Sequence, residues 1–171
     1  MICWVNQIQA SNTEKTDGTG REVLKETITL TFKDNVFHSR TEFEPLEEIN
    51  CLLWYGLQII YQNGSSKTIQ YIGAENRQPY SYDVASESGD KTANTAKLRN
   101  SETHMVQEFS VNPLVDIGRR NYCTANLTKA MFGTTYGKAY ATVINTSTNM
   151  LAGEKYVLEG EYKIYKDIVI Q

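Results

Sequence analysis

The segment from Tyr156 to Ile164 alternates with period two. Tyr156, Leu158, Gly160, Tyr162 and Ile164 fall on one side, and Val157, Glu159, Glu161, Lys163 and Tyr165 fall on the other. Successive strand side chains point to opposite faces, so this pattern specifies a strand with one dry and one wet face. Ile28, Leu30 and Phe32 alternate with threonines in the same way. No stretch has the 3.6-residue apolar period of an amphipathic helix. A chain built from such segments folds as an antiparallel all-β domain with little helix.

The remaining segments read as strands joined by polar turns. Ile2 to Gln9 is a first strand, with Trp4 its largest side chain, and Ser11 to Gly20 is a loop. Thr27 to Phe32 and Val36 to Phe43 form a hairpin across the tight-turn pair Asp34-Asn35, and Pro45 ends the second strand because proline cannot donate to a ladder. Leu46 to Asn50 reads as a short helical turn or a crossing loop. Cys51 to Tyr61 is apolar on both faces and reads as a central strand, with Thr68 to Ile72 returning from an Asn63-Gly64 hairpin turn. Residues 73–100 are polar with little periodicity beyond a short strand near Tyr80 to Val84. A connection of that length in a compact domain is usually functional. Thr103 to Val111, Tyr122 to Phe132 and Lys138 to Ile144 are further strands, and Asn145 to Gly153 is a turn. About eight to eleven short strands are too many for one open sheet, so two packed sheets are expected, a β-sandwich or jelly roll. No composition shift divides residues 1–171, which read as a single domain.

Length and charge narrow the function classes. At 171 residues the chain buries roughly 70% of its unfolded surface, so it needs neither metal nor disulfide for stability. Seventeen basic residues against 20 acidic ones give a net charge of −3. The one adjacent basic pair, Arg119-Arg120, is not extended, which argues against nucleic-acid binding. No apolar run approaches the ~20 residues of a membrane helix. Met1 to Ala10 has no signal-peptide pattern, which leaves a cytoplasmic protein, a piece of a longer secreted chain, or a phage-type structural protein. Cys3, Cys51 and Cys123 are too widely spaced for a zinc or Cys-x-x-Cys site and read as reduced, mostly buried thiols. The sequons at Asn63, Asn126 and Asn145 read as turn chemistry.

Three groups of residues carry possible chemistry. Glu42 and Glu44 are alternate carboxylates on one strand face, the placement a glycosidase uses for nucleophile and acid. With Glu47 their spacing resembles the Glu-x-Asp-x-x-Glu signature of laminarinase-like jelly-roll hydrolases, except that Glu44 replaces the aspartate and Pro45 interrupts the strand. The expected role is a solvated strand end. His38 and His104, the two histidines, could act as general base beside a tyrosine, but each reads better as a structural or exposed residue. No Gly-x-Ser-x-Gly elbow is present. Trp54, Tyr55, Tyr61, Tyr71, Tyr80 and Tyr82 cluster between the expected central hairpin and the polar connection. Aromatic planes stack on the C–H faces of sugars, and Asn76, Arg77, Gln78 and Asp83 lie among them to hydrogen-bond hydroxyls. Trp54 and half of these tyrosines are expected in the core, with Tyr80 and Tyr82 the best ligand contacts.

The Tyr162 alternation, the Trp54-Tyr55-Gly56 stretch and the Gly137-Lys138-Ala139-Tyr140 strand together resemble accessory β-sandwich domains of secreted bacterial hydrolases and of phage tail or receptor-binding proteins. That resemblance implies glycan recognition, adhesion or trimer assembly. The expectation is a non-catalytic carbohydrate- or cell-surface-binding module of a larger extracellular or virion assembly. Trp54, Tyr71, Asn76, Arg77, Tyr80, Tyr82 and Asp83 are its ligand contacts, with no cofactor and no metal. Its partners are a glycan or cell-surface polysaccharide and either a second copy or the rest of a larger chain. One alternative is a carbohydrate-active enzyme using Glu42 and Glu44, or a His and Tyr pair. The other is a structural subunit whose aromatics bury an oligomer interface.

Overall fold

The computed structural model describes residues 1–13, 15–17, 19–60, 67–72, 80–81, 91–92, 95–112, 130–134, 138–144 and 147–167. Among them the strands are β1 (Ile2–Gln9), β2 (Glu22–Lys33), β3 (Val36–Pro45), β4 (Ile49–Cys51), β5 (Trp54–Ile60), β6 (Lys67–Ile72), β7 (Tyr80–Ser81), β8 (Lys91–Thr92), β9 (Thr95–Asn100), β10 (Met105–Val111), β11 (Ala130–Thr134), β12 (Lys138–Ile144), β13 (Thr148–Met150) and β14 (Tyr156–Lys166). They form an eight-stranded sheet in the order β1-β2-β3-β14-β10-β9-β6-β7, a four-stranded sheet β5-β12-β11-β8, and a small ladder β13-β4. The all-β sandwich expected from the alternation is the fold observed.

The β2–β3 hairpin turns at Asp34 and Asn35, both with left-handed φ (53° and 61°), as a two-residue primed turn requires. Its register runs from Lys33 opposite Val36 to Leu24 opposite Pro45, which is the last residue of β3. β14 then pairs antiparallel with β3, from Tyr156 opposite Phe43 to Tyr162 opposite Phe37. On its other side β14 pairs with β10. Directly opposed residues share a face, so the register defines two faces of the large sheet. The inner face carries Phe43, Tyr156, Leu158, Phe109, Val111, Ala96, Leu98 and Ile69, all in the core. The outer face carries mostly charged and hydroxyl side chains, interrupted by apolar ones such as the buried Val106.

β5 lies across the inner face of β14. Gly56 sits where a side chain would run into Leu158, and Gly160 where one would run into Leu57 and the Ser110 carbonyl. The two glycines let the sheets approach at that crossing. A register shift in the β5–β12 ladder puts Trp54, Leu57 and Ile59 together on the buried side. Trp54 is 5% exposed and stacks on Phe43 with ring centroids 4.2 Å apart. The β13–β4 ladder closes one end of the core with Met150, and the Gly153 amide donates to the Pro45 carbonyl at 2.8 Å.

Several sequence expectations are corrected. Cys51 to Tyr61 is not a central strand. Among the described residues β5 ends the small sheet, with Tyr55, Gln58 and Ile60 exposed; the register shift disguises this alternation in the sequence. β5 and β6 do not form a hairpin either: β5 pairs with β12, and β6 pairs with β9 and β7. The Asn63-Gly64 turn itself lies outside the described residues. Within 73–100, β9 is a buried strand of the large sheet. Only Ala96 and Leu98 among its residues are in the core, which is too short a signal to stand out between Lys97, Arg99 and Asn100. Leu46 to Asn50 leads into strand β4, and Asn145 to Gly153 contains strand β13. Cys3 is exposed on β1, and Cys51 is half-buried with its thiol pushed up by burial; Cys123 lies outside the described residues.

Replacing Trp54 with alanine would open the Phe43 stacking site and is expected to cost about 3–5 kcal/mol in chemical denaturation. Gly160→Ala is expected to cost about 1–3 kcal/mol, since its new methyl meets backbone as well as Leu57.

Candidate functional site

The outer face of β3 and β14 concentrates the polar side chains. The register sets His38 opposite Glu161, Arg40 opposite Glu159 and Glu42 opposite Val157. Cross-strand neighbours on one face lie within reach of each other, and opposite charges there attract. Arg40 Nε donates to Glu159 Oε1 at 3.1 Å and its Nη1 to Glu42 Oε2 at 2.8 Å. Lys155 Nζ donates to the other Glu42 oxygen at 2.6 Å. His38 Nδ1 lies 3.2 Å from Glu161 Oε1, and Lys163 Nζ lies 3.3 Å from Glu161 Oε2. The belt continues through Glu108, which accepts from the Tyr165 hydroxyl at 3.2 Å, to Lys97, whose ammonium sits 5.6 Å above the Tyr165 ring.

A trough of about 400 Å³ opens in this belt. Thr29 and Thr31 of β2 form one flank, His38, Arg40, Glu159 and Glu161 its middle, and Asn112 the other flank. By strand alternation, Ser39 and Gly160 reach it through their backbones and form its floor. His38 turns its Nδ1 edge to the Glu161 carboxylate, and an imidazole carries one donor and one acceptor nitrogen when neutral. The trough therefore offers guanidinium and amide donors, carboxylate and imidazole acceptors, and hydroxyls that serve as either. That mixture suits a ligand dense in hydroxyl groups.

The sequence-expected residues are distributed unevenly. Glu42 and Glu44 do share the outer face, but each lies against a cation rather than in the trough: Glu42 against Lys155 and Arg40, Glu44 against Lys25 at 3.6 Å. The Lys155 hydrogen bond, followed by that from Arg40, holds the Glu42 carboxyl below its ordinary range. His38 lines the trough, whereas His104 occupies a left-handed turn residue whose carbonyl accepts the Asp167 amide at 2.8 Å. The structure keeps the two histidines apart, one opposite Glu161 in the middle of β14 and one beside Asp167, just past its end. Trp54 is in the core and offers no ring face to a ligand. Asn76, Arg77, Tyr82 and Asp83, and the side chains of Tyr71 and Tyr80, lie outside the described residues. Among the described residues no three His, Cys, Asp or Glu side chains group as metal ligands. Arg40, Glu159 and Glu161 escaped the sequence reading because 119 residues separate Arg40 from Glu159. Their one signal was the charged wet face of β14, which needed the strand register to be placed beside β3.

The chain matches no protein-family model and no curated protein sequence. Among the solved structures to which it is similar are two of low sequence identity. One, an Escherichia coli K12 protein carrying the provisional name aldose 1-epimerase, is 8% identical with a TM-score of 0.53, over 96% of this chain and 65% of that one. The other, the Slr1438 protein of Synechocystis sp. PCC 6803, is 7% identical with a TM-score of 0.48, over 84% of this chain and 55% of that one. This chain thus spans less than two thirds of either neighbour. At these identities the likeness to the E. coli protein is one of fold.

The Glu42 ion pairs make a pH prediction. A carboxyl depressed in the folded state contributes stability above its ordinary titration range and loses it as pH falls through the depressed value. Glu42→Gln is expected to cost about 1 kcal/mol at neutral pH, given the half-exposed cations. It should also flatten the acid limb of stability against pH, measured by urea denaturation at stepped pH. An acid limb of unchanged slope would contradict the assignment.

Proposed function

We propose that the outer-face trough binds carbohydrate and that the chain acts as a non-catalytic glycan-binding module. The observation that carries this reading is the trough itself, where a guanidinium, an imidazole, two carboxylates, an amide and two threonines converge on adjacent strands. Sugar recognition depends on such convergent hydrogen-bonding groups, with each carboxylate able to accept from two neighbouring hydroxyls. The Arg40–Glu159 ion pair and the His38–Glu161 contact hold these side chains before any ligand arrives, which lowers the ordering cost of binding. The fold it shares with a protein provisionally named as a sugar enzyme is consistent with this use of the sandwich. The trough is dominated by hydrogen bonding, so any aromatic stacking would come from the segment bearing Tyr71, Tyr80 and Tyr82.

A second reading is favoured by one contact. The His38 ring, oriented by Glu161 within an open polar trough, has the arrangement of a general acid–base pair. On this reading the trough would move protons on a bound aldose.

A glycan array followed by calorimetry tests the first reading. His38→Ala and Glu161→Gln should each weaken binding at least about tenfold with an unchanged circular dichroism spectrum. Loss of binding in Tyr80→Ala or Tyr82→Ala alone would move the site to the aromatic segment and overturn the trough. Polarimetry of aldose mutarotation tests the second reading, which requires a rate enhancement that His38→Ala abolishes.

A further inference from the structure

The eight-stranded sheet ends very differently at its two edges. Among the described residues one edge is β7, two residues long. The other edge is β1, eight residues long, and its burial pattern is exposed along nearly its whole length. Among the described residues no strand pairs with the side of β1 facing away from β2. Proteins usually guard such an edge with charge, proline or a bulge. β1, Ile-Cys-Trp-Val-Asn-Gln-Ile-Gln, contains no charged residue and no proline, and its one register irregularity falls at the end, between Ile8 and Gln9.

The strand carries apolar side chains on both faces, beside the uncharged Asn6 and Gln7. Ile2, Trp4 and Ile8 point to the inner face, while Val5, 54% exposed, points to the outer face with Cys3. The inner-face patch continues onto the hairpin, where the rings of Phe32 and Phe37 lie 4.6 Å apart and Phe32 is 58% exposed. A contiguous apolar surface joined to a free edge marks an interaction site.

We propose that β1 is a dimer seam: two copies join edge to edge through antiparallel β1–β1 pairing about a two-fold axis at Val5. The occupant is a second copy because the strand is complementary to itself. Antiparallel self-pairing about a two-fold axis brings the same short stretch of sequence together twice, so a charge near the axis meets its own copy and repels. β1 has no charge to repel, and the nearest charges on β2 are already engaged, Lys25 with Glu44 and Glu26 with Asn6. The axis stands perpendicular to the sheet, so opposed residues must share a face and hence be both odd or both even in number. Two registers that keep this rule use nearly the whole strand, one centred on Val5 and one on Asn6. Centring on Asn6 requires Gln9, beyond the irregularity, whereas centring on Val5 uses only Ile2 to Ile8. It sets Ile2 opposite Ile8, Cys3 opposite Gln7 and Trp4 opposite Asn6 of the second copy. The perpendicular axis also brings both apolar inner faces to the same side of the merged sheet.

Multi-angle light scattering on the full chain should give twice the 19.4 kDa chain mass at micromolar concentration. Val5→Lys places two ammonium groups at the axis and should weaken the dimer at least about tenfold, with an unchanged circular dichroism spectrum. Gln7→Cys should cross-link to Cys3 of the second copy under mild oxidation, since directly opposed antiparallel residues lie within disulfide range. Adding Cys3→Ser should abolish that cross-link. The cross-linking variant changes one exposed residue and remains informative if Val5→Lys fails to fold. A monomer at every concentration, a dimer indifferent to Val5→Lys, or a Gln7→Cys protein that does not cross-link would each overturn the proposal. So would a monomer that pairs β1 with a strand of another protein.

Discussion

The pairing of β3 with β14 is the contact on which the rest of the structure depends. It joins the N-terminal meander to strands from the second half of the chain, so no other ladder can complete the large sheet without it. Its register decides both faces at once. Opposing Tyr156 to Phe43 builds the aromatic floor on which Trp54 stacks. The same register opposes Glu159 to Arg40 and Glu161 to His38 on the other side. A slip of one residue would send the carboxylates of β14 into the core and its apolar side chains into water. The core thus fixes the position of the trough, and the ion pairs on the outer face add specificity more than stability.

The sequence carried the strands whose alternation was long and uninterrupted. β14, β2 and β3 were legible because each shows period two over many residues and a recognisable turn joins the last two. β5 was located but misjudged, since a register shift near Gly56 makes one wet face look dry. β9 was missed because two small or medium core residues, Ala96 and Leu98, give too weak a pattern among charged neighbours. The trough was less legible still. His38 stood out as one of two histidines, but its partner Glu161 belongs to a distant strand and was visible only as a member of a wet face. Alternate spacing drew attention to Glu42 and Glu44, whose carboxylates are engaged by lysine and arginine. Trp54 drew attention for its aromatic surface, which the core consumes.

The two layers of the sandwich are unequal, and this inequality has consequences on the inner face. β5 covers the inner face where β14 carries Tyr156, Leu158 and Gly160, but Ile164 at the far end of the same dry stripe is 60% exposed. Tyr162 marks the border: its hydroxyl accepts the Gln58 amide at 3.0 Å, and burial pushes its titration up. Beyond that border a cleft of about 330 Å³ lies between Ile59 and Ile60 on one wall and Leu30, Phe37 and Ile164 on the other. The alternation of β1, β2 and β14 therefore encodes more dry surface than one chain's second layer covers.

The outer face has no such deficit, because its charges are matched in sign across neighbouring strands. Lys155, Glu42, Arg40 and Glu159 alternate along one path, and Glu161, Lys163 and Glu108 along another, with the His38 ring against Glu161. A face already balanced this way gains little from a charged partner, since each new contact must displace an existing one. A neutral, hydroxyl-rich ligand fits it better, because hydroxyls can donate to the carboxylates and accept from the guanidinium without breaking the pairs. The two faces of one sheet thus favour different partners. On the two proposals, the outer face takes a polar small ligand and the inner face, with its uncharged edge, another apolar surface. Both preferences follow from the single register in which β14 lies beside β3.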